Sequence, residues 1–161
     1  RFEPGRQGSE MVDDEFIADE SSLRPKAGDR VLVGSTDLDW TPIEVSDGVI
    51  DVNVLIGQKV EHSVAYALCY LDSDNPQSEL RLMVGSDDQA KVYLNGKEVF
   101  RSLFRRGFLE DEDVVENLKL RSGRNVLIFK IVNGSADWQG SIRLTGANGR
   151  PVQGLHTGLV P

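Results

Sequence analysis

The sequence predicts an all-β protein, an antiparallel β-sandwich or jelly roll with little or no helix. Three observations carry that expectation. Apolar and polar residues alternate with a period of two in segment after segment. Turn signals, Asn95-Gly96 foremost, recur about every eight to twelve residues, as in sandwiches. Helical periodicity is weak throughout; FRSLFRRGFLEDED has room for one helical turn at most.

The elements follow in order. DVNVLIG alternates Val52 and Val54 with Asp51 and Asn53, the pattern of a half-buried strand. SVAYALCYL is apolar on both faces, with Val64, Tyr66, Leu68 and Tyr70 on one and Ala65, Ala67, Cys69 and Leu71 on the other. Such a strand belongs inside a sheet covered on both sides. ELRLMVG sets Leu80, Leu82 and Val84 on one face. QAKVYLNGKEVF reads as a hairpin, because Asn95 and Gly96 both tolerate the positive φ of a type I′ turn. VVENLKL places Val114, Leu118 and Leu120 on one side, RSGRN turns the chain, and VLIFKIV and GSIRLTG supply the last two strands.

The ends differ from this pattern. Residues 1–28 are polar and broken by Pro4, Pro25 and several glycines, with Phe16, Ile17 and Leu23 alone suited to docking on a core. We read 1–8 as linker, 9–146 as the β-sandwich domain, and 147–161, where glycine alternates with small apolar residues without a period, as tail or linker.

Bulk properties narrow the partners. The chain has 161 residues, enough for one domain with a real core. Its net charge of −8 argues against nucleic acid and anionic membranes, which reward clustered Lys and Arg. No apolar run approaches a membrane span, so direct membrane insertion is not expected. A single cysteine, Cys69, excludes an internal disulfide, and its apolar neighbours mark it as a buried structural thiol.

Over roughly residues 40–145, by its strand and turn pattern, the chain resembles the galactose-binding-like, jelly-roll carbohydrate-binding-type sandwich modules of bacterial extracytoplasmic proteins. The segments that carry the likeness are GSDDQAKVYLNGK, GRNVLIFK and WQGSIRL. The resemblance implies a secreted, periplasmic or cell-surface location and a non-catalytic accessory domain beside larger enzymes. A weaker similarity joins the Ser-Asp-Asp segment to protective-antigen-like lectin domains, where adjacent aspartates hold a calcium ion that grips sugar hydroxyls. This chain departs from that pattern by carrying Gln89 where a glycine is usual.

Asp87 and Asp88 therefore have two readings. Neighbouring carboxylates at a loop supply oxygens to calcium, which wants six to eight of them; the others would come from Asp72, Asp74 or Asn75 in LDSDNPQ. Alternatively the pair only closes a turn through backbone amides. LDSDNPQ itself lacks the glycine and distal glutamate of a calcium loop and reads as a turn. No cofactor is required; calcium is the one candidate.

Aromatic rings offer a second route to sugar, since a pyranose face stacks on Trp while hydroxyls take hydrogen bonds. Trp40 and Trp138 both stand at loop–strand junctions, and both are candidates, with core packing the competing role, favoured for Trp138. In VFRSLFRRGFLEDED, Arg105 and Arg106 interleave with Phe104 and Phe108 ahead of an acidic run. That is either an arginine–aromatic binding loop or a loop whose arginines pair with its own acids.

Catalysis is not expected. No nucleophile elbow, zinc-protease motif, paired-cysteine motif or phosphate loop is present, and of the two histidines, His62 and His156, the second lies in the tail. The functional expectation is a carbohydrate-binding accessory module whose partner is a glycan, with calcium assistance. The alternative is a structural or protein-interaction sandwich that contacts neighbouring domains of its own polypeptide and binds no sugar.

Overall fold

The structure, a computed structural model, describes residues 11–45 and 47–161. The expected linker, 1–8, lies outside them. Among the described residues the strands form antiparallel sheets, as the alternating pattern requires. β1 (Arg30–Val33) and β2 (Thr36–Asp39) make a small ribbon. One face of the sandwich is ordered β3 (Val49–Asp51), β10 (Gln139–Thr145), β5 (Gln77–Ser86), β8 (Asp113–Leu120). The other is ordered β11 (Leu155–Gly158), β4 (Ser63–Ser73), β9 (Gly123–Asn133), β6 (Gln89–Leu94), β7 (Lys97–Ser102).

Alternation builds the core between them. Leu80, Leu82 and Val84 of β5 face Ala90, Val92 and Leu94 of β6 and Leu127, Phe129 and Ile131 of β9 in one buried cluster. The sheets approach closely at Gly140, where a Cβ would stand 2.6 Å from Ile131 Cδ1. The β6–β7 turn has the expected geometry, with φ of 53° at Asn95 and 83° at Gly96. Asn95 also closes it with side-chain bonds, accepting from the Val126 amide at 3.0 Å and donating to Asn125 Oδ1 at 2.8 Å.

β4 is covered on both faces, and the outer cover is the N-terminal segment. Met11 and Val12 are fully buried against Val132, with Phe16 packed beside them. Glu20, in a single 3-10 turn (Glu20–Ser22), is buried with its carboxylate 2.9 Å from the ammonium of fully buried Lys130. Tyr66 and Tyr93 donate their hydroxyls to the same carboxylate, Tyr93 at 2.7 Å. The Lys130 ammonium also donates to the carbonyls of Val12 and Asp14. Burial first, then the bond to Glu20, pushes both phenols well above their ordinary range, so they stay neutral donors.

Four expectations need correction. Residues Val52–Ile56 form a short helix, α1, rather than a strand. Asp51 caps it, its carboxylate accepting from the Val54 amide at 3.1 Å, and Gly57 ends it in the left-handed conformation. Val114 is 43 % exposed, and Val115 packs inward instead. Asn117, at φ 61°, lies in a bulge that shifts the register between Leu82↔Val115 and Leu80↔Leu118, so strict alternation fails. The N-terminal segment docks through Met11, Val12 and Glu20 as well as through apolar residues later in it. Finally, the stretch read as tail, 147–161, contributes β11, which pairs with Tyr70–Ser73 of β4.

Candidate functional site

The Asp87–Asp88 corner joins β5 to β6 at one end of the sandwich, and two further loops meet it there: 103–112 between β7 and β8, and 134–138 between β9 and β10. The Asp87–Asp88 peptide is cis. Asp88 is buried and organises the layer. Its Oδ2 accepts from the Gly134 amide at 2.8 Å and its Oδ1 from the Arg106 amide at 3.2 Å, while its own amide donates to the Val132 carbonyl at 3.0 Å. Gly134 has no room for a side chain, since a Cβ would lie 2.9 Å from Asp88 Oδ2 and 3.0 Å from Arg105 Nη2.

Arg106 locks the longer loop. It donates to the carbonyl and hydroxyl of Ser86 at 3.2 and 2.9 Å, and its guanidinium sits 3.0 Å from Glu112 and 2.6 Å from Asp113. The loop then crosses β5 at Gly85, where a Cβ would collide with the Leu109 carbonyl at 2.3 Å. The pairing of loop arginine with loop acids is thus real for Arg106. It leaves Arg105 outward, its Nη2 3.4 Å from Ser135 Oγ, beside Phe104, which is 77 % exposed.

Asp87 behaves differently from its neighbour. It is half-buried, its amide donates to the Gln139 carbonyl at 2.9 Å, and the Phe108 amide bonds its carboxylate. Burial, then the charges of Asp88 and Asp137, push its carboxyl up to about 6. Asp137, on the facing loop, is exposed and paired with Lys59 at 3.4 Å.

The candidate residues thus separate into groups. Asp87, Asp88, Arg105 and Arg106 come together at this end. Trp138 is there too, but at 4 % exposure it belongs to the core and offers no face to a ligand, the packing role favoured for it. Asp72 and Asp74 lie at the other end of β5, about 30 Å away for a strand of this length. Asp72 is held by Arg124 at 2.6 and 2.8 Å, and Asp74 lies 3.5 Å from His156 Nε2. They cannot share an ion with Asp87. Among the described residues no group of three or more His, Cys, Asp or Glu side chains converges as a metal site would.

Trp40 sits elsewhere again. It is half-buried, fixed by its amide to the Asp29 carbonyl at 2.9 Å, and lines a cleft of about 830 Å³ whose lining includes Phe129 of one sheet and Ile142 of the other. None of the loop-end residues lines that cleft. Reading the sequence alone missed Ser135 and Asp137; their polar turn, GSADWQG, was the available signal.

No family model matches the chain, and no curated protein matches it. Among solved structures, a family 35 carbohydrate-binding module from an environmental isolate is similar, with a TM-score of 0.44 and 17 % identity over 65 % of this chain and 78 % of that one.

Proposed function

We propose that this chain is a non-catalytic carbohydrate-binding module of a larger extracytoplasmic protein, and that the Asp87–Arg105 end of the sandwich is its glycan contact. The observation that carries the reading is the placement of a half-buried carboxylate, an outward guanidinium and an exposed phenyl ring on one end whose loops are tied down by Asp88 and Arg106. An ionised Asp87 accepts from two sugar hydroxyls, Arg105 donates to a third, and Phe104 offers a flat face to the ring's C–H side. Rigid loops lower the ordering cost of binding a flexible saccharide. Calcium assistance belongs to the same reading. However, both Asp88 oxygens are spent on amides, so Asp87, with Asp137 across the gap, is the remaining carboxylate source.

The alternative, a sandwich that docks neighbouring domains and binds no sugar, draws on the structural roles of Asp88 and Trp138. Calorimetric titration with a panel of neutral and acidic oligosaccharides, with millimolar calcium and then with chelator, separates the two. The proposal expects a glycan whose affinity falls at least tenfold in Asp87→Ala and in Arg105→Ala. A chelator-sensitive signal adds calcium to the site. Absence of heat with every glycan in both conditions favours the docking module.

A further inference from the structure

The cleft lined by Trp40 has a second property, independent of the loop end. β4 pairs with β9 along its whole length, Ser63–Ser73, but β11 covers its other side along Tyr70–Ser73 only. Among the described residues no strand and no backbone hydrogen bond covers that side of residues 63–69. Five consecutive residues of β4 line the same cleft: Ala65, Ala67 and Cys69, whose side chains pack in the inner core, and Tyr66 and Leu68, whose side chains pack in the outer cluster. Successive strand residues point to opposite faces, so one cavity reaches both sets only where it wraps the strand's edge. The edge is open.

We infer that residues 63–69 of β4 are a docking site for an extended strand of a partner polypeptide, added antiparallel in line with β11. The backbone dictates that chemistry. An open edge presents amide donors and carbonyl acceptors in alternation, and only another extended polypeptide backbone matches their spacing. β11 already occupies the same edge and fixes the direction of approach. Small inner residues Ala65 and Ala67 leave space in front of Phe129, Ile142 and Leu144, so the incoming strand is apolar at alternate positions. Trp40, Thr41, Pro42, Ile43 and Val45 line the same cleft, so an incoming strand meets side chains beyond the β4 edge itself. The chain's own charge of −8 disfavours an acidic strand.

Hydrogen exchange on the intact chain tests this, with an array of blocked heptapeptides carrying Val, Leu, Ile or Phe at odd positions and Thr or Lys between. The outward amides of residues 63–69 are expected to exchange fast in the free monomer and at least tenfold more slowly with some of these peptides. N-methylation of the peptide's paired amides is expected to abolish the effect, as is Ala67→Phe, which fills the slot from within. The inference is overturned if the amides are already protected in the monomer, or if no peptide protects them. Protection that rises only with protein concentration overturns it in favour of a second copy, and protection by an oligosaccharide in favour of a sugar groove. Because Asp87 and Arg105 lie outside the cleft, their variants leave peptide protection unchanged whether or not the loop end binds glycan.

Discussion

The ammonium of Lys130 lies 2.9 Å from the carboxylate of Glu20, with neither side chain reaching solvent. This pair ties the N-terminal segment to the centre of the five-stranded sheet. Burial pulls the lysine below its ordinary range, and the Glu20 bond opposes that shift. Removing one partner strands the other charge in the interior, so Lys130→Met or Glu20→Leu is expected to cost about 3–5 kcal/mol. The double variant should recover much of that loss. Urea denaturation of the two singles and the double checks both statements.

Asp88 supports the loop end through two backbone amides on different loops. In Asp88→Asn one of those amides faces an NH2 group and loses its acceptor. The expected cost is about 1–3 kcal/mol, with faster exchange of the Gly134 or Arg106 amide as the local signature.

Asp87 is predicted to make stability depend on pH in the less usual direction. Its carboxyl titrates near 6 in the folded chain against an ordinary value of 3.8, so the fold holds that proton more tightly than the unfolded chain does. The contribution of this group is therefore present below its unfolded value and is lost as pH rises through the folded one. Asp87→Asn is expected to raise the denaturation midpoint at pH 7.5 and to leave it nearly unchanged at pH 3.5. The difference between variant and parent, followed against pH, isolates this carboxyl from the others.

The cap on α1 is a smaller effect. Asp51→Ala removes the acceptor for the Val54 amide and should cost about 0.5–2 kcal/mol, read as a lowered thermal midpoint.

Much of the sandwich was legible from local chemistry. The Asn95-Gly96 turn and the apolar faces of β5 and β4 follow from φ preferences and a period of two, which act over a few residues. The misreadings share one cause, that non-local or positional chemistry overrode the pattern. Val52 and Val54 alternate like a strand, yet an aspartate before them and a glycine after them start and stop a helix. A bulge at Asn117 turned Val114 outward. Glu20 carries no signal in its own segment, because its partner, Lys130, is more than a hundred residues away. The loop end was legible in part, since Asp87, Asp88, Arg105 and Arg106 do meet. Which of them are structural depended on backbone partners, Gly134 and Ser86, that no spacing announces.

The proposed glycan contact of Asp87 and Arg105 lies at the loop end. Its most direct test is an amide NMR titration of the folded chain with the oligosaccharide panel at pH 7.5 and again at pH 5. The account predicts saturable shifts confined to residues 87–89, 103–108 and 134–139, weakened at pH 5 as Asp87 takes up its proton. Shifts centred on Trp40 and residues 63–69, or no shift with any glycan at either pH, would contradict it.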